Sequence, residues 1–430
     1  MFNVRDYSFG INSGQDGQVR TNNTILGACL VIGLAACSEQ PVPEAAPSAY
    51  QKELQTALIQ ASPGDVITIP AGVHEINRGL SLNVSGVTLR GEGMDKSILS
   101  FKNQVQGAEG LLVNASDFTI EDLAIEDTAG DGLKVNEGRN IIIRRVRTEW
   151  TNGPDEENGA YGIYPVQVEN LLLEESVAIG ASDAGLYVGQ SRNVVVRNNR
   201  AERNVAGIEI ENTFDADVYG NVATENTGGI LVFNMPDLPQ PGHSTRVFQN
   251  TVTNNNTDNF GAEGTPVASV PAGSGIVINS NDRVEIFDND ITNNDTANII
   301  ISSYFATGYQ GTREMAADYD PYPETIYVYG NRMSGGGSSP DGLDLKALKV
   351  AMFGLNGAFP DVLWDGYTNP DKLNEDGTLK AEYAICIDNG AAEVLNADLP
   401  NGSDNIVVGE AQHQCQHEKL PPVVLAAPLQ

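Results

Sequence analysis

At 430 residues, with 40% hydrophobic and 19% charged side chains, the chain has a globular composition, and its 45 glycines favour a turn-rich, strand-rich body over a helix bundle. Twenty-five basic against 57 acidic residues leave a formal charge of −32, which repels phosphate backbones and anionic headgroups and argues against nucleic acid as a partner. The acidity is compatible with an exported surface and with weak binding of Ca²⁺, but it identifies no cofactor.

The first element is an apolar run of 12 residues, Ile25 to Ala36, in TILGACLVIGLAACSEQ. It is too short to span a bilayer as a helix and has the length of an export signal's core. The run ends in Leu34-Ala35-Ala36-Cys37, which resembles the lipobox of bacterial lipoproteins. That resemblance implies a signal peptide over 1–36, diacylglycerol on Cys37 and, with Ser38 following, an address at the outer membrane. A start near Val19 would leave a leader of conventional length. Residues 37–50 read as a Pro/Ala-rich tether holding the body off the membrane. With Cys29 in the signal and Cys37 lipidated, Cys386 and Cys415 remain, and an oxidising compartment predicts a disulfide between them. The rival reading is a metal site on alternate residues, His413, Cys415 and His417.

Leu54, Leu58 and Ile59 predict a short amphipathic helix, ended by Pro63-Gly64-Asp65 and placed to cover the open edge of the sheet that follows. Strands then recur on a glycine: GLLV at Gly110, GLKV at Gly132, GIYP at Gly162, GLYV at Gly185, GIEI at Gly207, GILV at Gly229 and GIVI at Gly275. The spacings are 22, 30, 23, 22, 22 and 46, and NIII at Asn298 follows 23 later, asparagine replacing glycine as a residue tolerant of left-handed backbone. Inserts at 151–160 and 235–245 lengthen two of the turns. In each unit a first strand meets a polar corner and then a second apolar alternation. A unit has too few apolar residues to bury a core alone, so stacking at about 4.8 Å per turn must supply it. This predicts an all-β, right-handed parallel β-helix over 51–304, with the last rungs and a C-terminal cap over 305–430. Asn199, Asn221, Asn250 and Asn289 fit a corner where side-chain amides bond along the stack.

Period-2 alternation puts one row of side chains outside: Leu112, Lys134 and Asn136, Tyr164, Tyr187, Glu209 and Glu211, Leu231 and Phe233. Rings stack on sugar faces and carboxylates accept hydroxyl bonds, so Lys134, Tyr164, Tyr187 and Asp183 are candidate glycan-binding residues. Glu209 and Glu211 lie roughly 6.6 Å apart along one strand, a separation suited to an acid and base pair. His243 and Arg246 are weaker catalytic candidates, as a base beside a group that would bind a uronate carboxylate. No metal ligand set is expected in the rungs.

From GAYGIYPVQVENLLLEES through SDAGLYVGQSRNVVVRNN to VPAGSGIVINSNDRVEIFDN, the chain resembles a family of bacterial exported parallel β-helix repeat proteins of pectin-lyase-like fold, over roughly Leu54 to the C-terminus. The resemblance implies fold and export, not an activity. YGIYP resembles the tyrosine-glycine motif of alginate C5 epimerases, but Tyr164, Pro165 and Val166 stand where that motif requires an aspartate and a histidine. The expectation is therefore a lipid-anchored envelope protein that binds or processes a glycan, as a lyase or glycoside hydrolase if it is an enzyme. The alternative is a structural protein docking an exported partner through an exposed Leu231 and Phe233 patch.

Overall fold

The computed structural model describes residues 46–307, 315, 319–409 and 411–426. The export run and Cys37 lie outside the described residues. Helix α1, Ala49–Gln60, begins where Ser48 Oγ accepts the Gln51 amide at 3.1 Å. Leu54 and Leu58, one turn apart on one face, are buried, whereas Ile59 is 67% exposed, a further 100° round the helix. The side-chain carbonyls of Gln51 and Gln55 accept the Asn77 and Ser81 amides at 3.0 Å each, so α1 satisfies part of the first sheet edge.

Beyond α1 the chain coils through short strands, each bonded in parallel to the strands one turn before and after. Three sheets result. The first stacks Ala184–Gly189, Ala206–Glu211, Gly228–Phe233, Ser274–Asn279 and Ala297–Ser302. The second stacks Arg192–Arg197, Phe214–Tyr219, His243–Phe248, Asp282–Phe287 and Glu324–Tyr329. The third is built of three-residue strands such as Val177–Ile179, Arg200–Glu202 and Val222–Thr224. The predicted polar corners separate them. Inside the coil, Leu186, Val188, Ile208, Ile210, Ile230 and Val232 are completely buried. Each contributes about 1.5–3 kcal/mol relative to exposure, which only the stacked neighbours make available.

The glycine row has a different cause from the one its sequence suggested. The rung glycines and Asn298 keep ordinary backbone, and the left-handed positions are corner residues such as Gln190, Asn193, Asn212, Asp215 and Ser280. Glycine is needed in the row for space: a Cβ on Gly207 would lie 2.6 Å from the Gly229 carbonyl oxygen. Asparagine amides do run along the stack, from Asn199 to Asn221, Asn250, Asn289 and Asn331 at 2.9–3.0 Å. A second asparagine ladder joins Asn204, Asn226, Asn255 and Asn294. Tyr219, Phe248, Phe287 and Tyr329 stack at 4.8–5.0 Å on the second sheet, a ladder that sequence reading missed.

Val362–Trp364 and Ile385–Asp388 extend the first and second sheets, and Val407–Val408 pairs antiparallel with Val394–Asn396, ending the parallel template. Helix α2, Leu343–Phe353, lays Leu345 and Leu348 on a cluster around Phe359, Leu363 and Leu395. Cys386 and Cys415 form the disulfide. His413 Nδ1 and His417 Nε2 bond the Ile385 and Ala384 carbonyls at 2.9 and 2.8 Å, so the metal alternative is not the arrangement adopted. The tail returns over the second sheet, where the Val423 amide reaches Asp217 and Leu425 packs on Leu172 and Val195. No helix among the described residues is long and apolar enough to cross a membrane.

Candidate functional site

Register on the outer face of the first sheet aligns Leu112 with Lys134, Lys134 with Tyr164, Tyr187 with Glu209, Glu209 with Leu231 and Leu231 with Val277. Tyr187 follows the Ile163–Leu186 pair by one residue and so falls beside Tyr164. The row is continuous because the inserts sit in the turns and leave the strands in phase.

Most of this row is not exposed, which corrects the solvent-facing ladder read from alternation. Tyr187, Glu209, Leu231 and Phe233 are 4%, 3%, 0% and 4% accessible, and the expected docking patch of Leu231 and Phe233 is therefore interior. Alternation distinguishes the two faces of a strand but not what loops place over them. Here Met235, Val267, Val270 and Tyr304, contributed by the turns between rungs, pack with Leu231, Phe233 and Val277 as a second apolar cluster outside the helix.

Three tyrosines pack together at the edge of this cover, Tyr161 and Tyr164 half-buried and Tyr187 buried. Tyr161 lies 4.4 Å from Tyr164 and 4.7 Å from Tyr187 between ring centroids, and Tyr164 meets Tyr187 edge-on at 4.9 Å. Tyr161 was missed because it sits on the opposite parity to Tyr164. Its signal lies in the next rungs, where its register partners are Ala184 and then Ala206, small residues that leave room for the ring. Lys134 Nζ lies 4.7 Å over Tyr164 and 3.8 and 3.9 Å from Glu109 and Asp131, a cation shared between a ring and two carboxylates.

Behind the tyrosines are Asp183, Glu209 and Glu211. The Tyr187 hydroxyl donates to the Glu211 carboxylate and accepts from Gln190 Nε2 at 3.0 Å. Glu209 Oε2 and Asp183 Oδ1 are buried with no hydrogen-bond partner among the described residues. Burial drives all three titrations upward: Glu211 to about 6, with the Tyr187 bond opposing, and Asp183 to about 8, with the Glu211 charge adding. Glu209 is raised well above its ordinary value, by burial and then by both neighbours. Asp131, at the rim, is pushed to about 6 by burial, and Lys134 opposes this. At neutral pH the site therefore holds a neutral acid beside an ionised carboxylate, the division that acid and base chemistry requires.

His243 and Arg246 belong to the second sheet, not to this site. His243 packs on Phe214 at 4.5 Å, and burial lowers its titration. Arg246 pairs with Asp217 at 3.0 Å and lies 4.9 Å from the Phe248 centroid, where it neutralises a carboxylate that the tail also contacts. Carboxylate oxygens of Asp282 and Glu324, which start two strands of that sheet, and of Asp320 in the preceding turn come within 4.8 Å of one another. Lys372 Nζ bonds Asp320 at 2.8 Å and also Glu324, supplying positive charge to that group.

Residues 85–256 and 158–310 match the right-handed β-helix region family, together spanning more than half of the chain. The chain belongs to that family. As a right-handed β-helix it is similar to the A-module of the Azotobacter vinelandii mannuronan C-5 epimerase AlgE4, at 19% identity, over 80% of this chain and 91% of that one, with a TM-score of 0.52. The AlgE6 A-module of the same organism is similar at 17% identity over 79% and 87%, TM-score 0.47. The catalytic unit of the GH87 α-1,3-glucanase of Streptomyces thermodiastaticus is similar at 17% over 76% and 49%, TM-score 0.42. The likeness to the AlgE4 A-module is one of fold. No curated protein matches the sequence.

Proposed function

We propose that the chain is a glycoside-cleaving enzyme of the cell envelope, exported and held by lipid on Cys37, with Asp183, Glu209 and Glu211 as its reacting group and Tyr161, Tyr164 and Tyr187 as its sugar platform. One observation carries the reading: Glu211, bonded by the Tyr187 hydroxyl, and Asp183 and Glu209, each with a buried oxygen that has no hydrogen-bond partner among the described residues, lie with a cluster of three tyrosine rings. A structural solenoid gains nothing from burying three carboxylates with no cation contributing to their titration.

In the proposed reaction Asp183 gives its proton to the glycosidic oxygen as the bond to the anomeric carbon breaks. A water attacks that carbon and passes its proton to Glu211, and exchange with solvent restores both groups. Glu209, whose burial favours the neutral form, donates a hydrogen bond to a substrate oxygen. Tyr164 and Lys134 hold the preceding sugar. The disulfide is in keeping with an oxidising compartment. A mannuronan epimerase shares the fold, which is consistent with a glycan surface but assigns no role to these residues.

The test is release of new reducing ends from a panel of polysaccharides, with Glu211→Gln as control. Products that fall about 100-fold in the variant support the reading. Products that persist at the parental rate in Glu211→Gln, or no product from any polysaccharide, overturn it.

A further inference from the structure

Resting on the glycan reading but not on turnover, we infer that an open depression beside the reacting group is a separate binding site for an uncharged polysaccharide. The depression has a volume of about 680 Å³ and is lined by residues between Ser85 and Gln240, within the roughly 300–1,000 Å³ usual for ligand pockets. It follows the corner where the chain leaves the first sheet for the second. Ser85 bonds the Ser116 amide, Ser116 bonds the Arg139 amide, and Arg139, Glu169 and Arg192 follow in register, so the lining climbs four rung steps, roughly 19 Å. Pro239 and Gln240 stand at its C-terminal end, where Gln240 Nε2 donates to the Ser191 and Asn212 carbonyls, both at 2.9 Å.

The lining suits hydroxyl groups. Glu137, Gln167 and Gln190 occupy equivalent corner positions, each one residue beyond the register column of Asn136, Val166 and Gly189. Beside them Arg139, Glu169 and Arg192 alternate in charge. The side chains of Glu137, Arg139, Gln167, Glu169 and Arg192 are exposed and form no hydrogen bond or ion pair with any described residue; Arg192 lies 5.7 Å over the Phe214 ring. An amide both donates and accepts, a guanidinium fork donates to two oxygens and a carboxylate accepts, which together match the neighbouring hydroxyls of a sugar. Two positive and two negative groups balance, so the lining favours neither an anionic nor a cationic polymer, and the −32 charge of the chain opposes a polyanion. No aromatic ring lines the depression, so affinity comes from hydrogen bonds and not from stacking. Gln190 joins the depression to the reacting group. It is buried, its Nε2 donates to the Tyr187 hydroxyl that in turn bonds Glu211, and its Oε1 accepts no bond from a described residue. A sugar hydroxyl donating to that oxygen extends a chain of hydrogen bonds to Glu211.

The experiment measures binding of the full chain by affinity electrophoresis, to dextran, pullulan and galactomannan as uncharged polymers and to alginate and polygalacturonate as anionic ones. Gln167→Ala with Arg192→Ala tests the lining, Arg200→Ala on the third sheet controls for lost charge, and Tm checks the fold of each. Arg139→Ala serves in place of a double variant whose Tm falls. At least one uncharged polymer should bind the parent and Arg200→Ala alike and the double variant at least tenfold more weakly, with neither anionic polymer bound more tightly. Equal binding by the double variant, preference for an anionic polymer, or no binding to any polymer overturns the inference. Release of reducing ends is measured alongside. Equal binding by the double variant with reducing ends still released leaves the hydrolytic reading standing, whereas the expected loss of binding with no reducing ends from the parent overturns that reading and leaves this site.

Discussion

Asp183 and Glu211 divide the labour because the same burial acts on them against different neighbours. Each carboxyl has a tyrosine hydroxyl to stabilise its charge, Tyr187 for Glu211 and Tyr161 for Asp183, but Asp183 also faces the Glu211 charge; Glu211 titrates at about 6 and Asp183 at about 8. Activity should therefore follow a bell between about pH 6 and 8, rising as Glu211 ionises and falling as Asp183 loses its proton; initial rates across pH 4–10 check this, and the limbs report the coupled group, not single residues. The same shift predicts a stability effect. A carboxyl raised from 3.8 to about 8 binds more protons folded than unfolded, so its contribution is full below about pH 4 and is lost as pH rises to about 8. Asp183→Asn removes this dependence. Its Tm should match the parent at pH 4, exceed it increasingly up to pH 8, and keep a constant lead above, while kcat falls about 100-fold. A Tm difference independent of pH would contradict the assignment.

At the scale of the rung, two kinds of residue hold neighbouring turns in phase. Asn250 donates to Asn289 and to the Val218 carbonyl and accepts from Asn221, all from buried atoms at 2.9–3.0 Å. Asn250→Ala should cost about 2–4 kcal/mol in denaturant unfolding, since it strands several of these partners. Gly207→Ala should cost about 1–3 kcal/mol by overpacking against the Gly229 carbonyl. The two origins separate experimentally: the asparagine loss should be partly rescued by Asp or Ser, which restore an acceptor, whereas no residue with a Cβ rescues Gly207. Rung existence, strand order and corner asparagines were legible in the sequence because a period of about 22 residues constrains every position at once. The reason for the glycines was not, because a crowded extended backbone and a left-handed turn select the same residue.

For the whole molecule, a solenoid's stability is a sum of rungs and their contacts, so its two ends decide where unfolding begins. The Cys386–Cys415 bridge closes a 29-residue separation at the C-terminal end. Its removal as Cys386→Ser with Cys415→Ser should cost about 3–4 kcal/mol. Amide exchange should accelerate first in 385–417 and only later in the rungs of 184–302; uniform acceleration would mean that the end does not open independently. The proposed lipid on Cys37 belongs to this scale as well: metabolic labelling with a fatty acid should mark the parent and not Cys37→Ser, and a label retained in the variant would exclude Cys37 as the anchor.

The sequence by itself determined the coil, its inner face and the alignment of the outer row from Lys134 to Glu211, because alternation and repeat length act through neighbours along the chain or one turn away; the choice of a disulfide over a metal site at Cys415 came with the structure. Tertiary structure alone decided which part of that row is covered. Turns at 235–242 and 257–273 fold back over Leu231 and Phe233, and this removes the expected docking patch and buries Glu209. Strand pairing, not that closure, puts His243 and Arg246 on another sheet and Tyr161 in register with Ala184, beside Tyr164 and Tyr187. Burial of a carboxylate depends on atoms distant in sequence, and no periodic pattern records where a loop comes to rest.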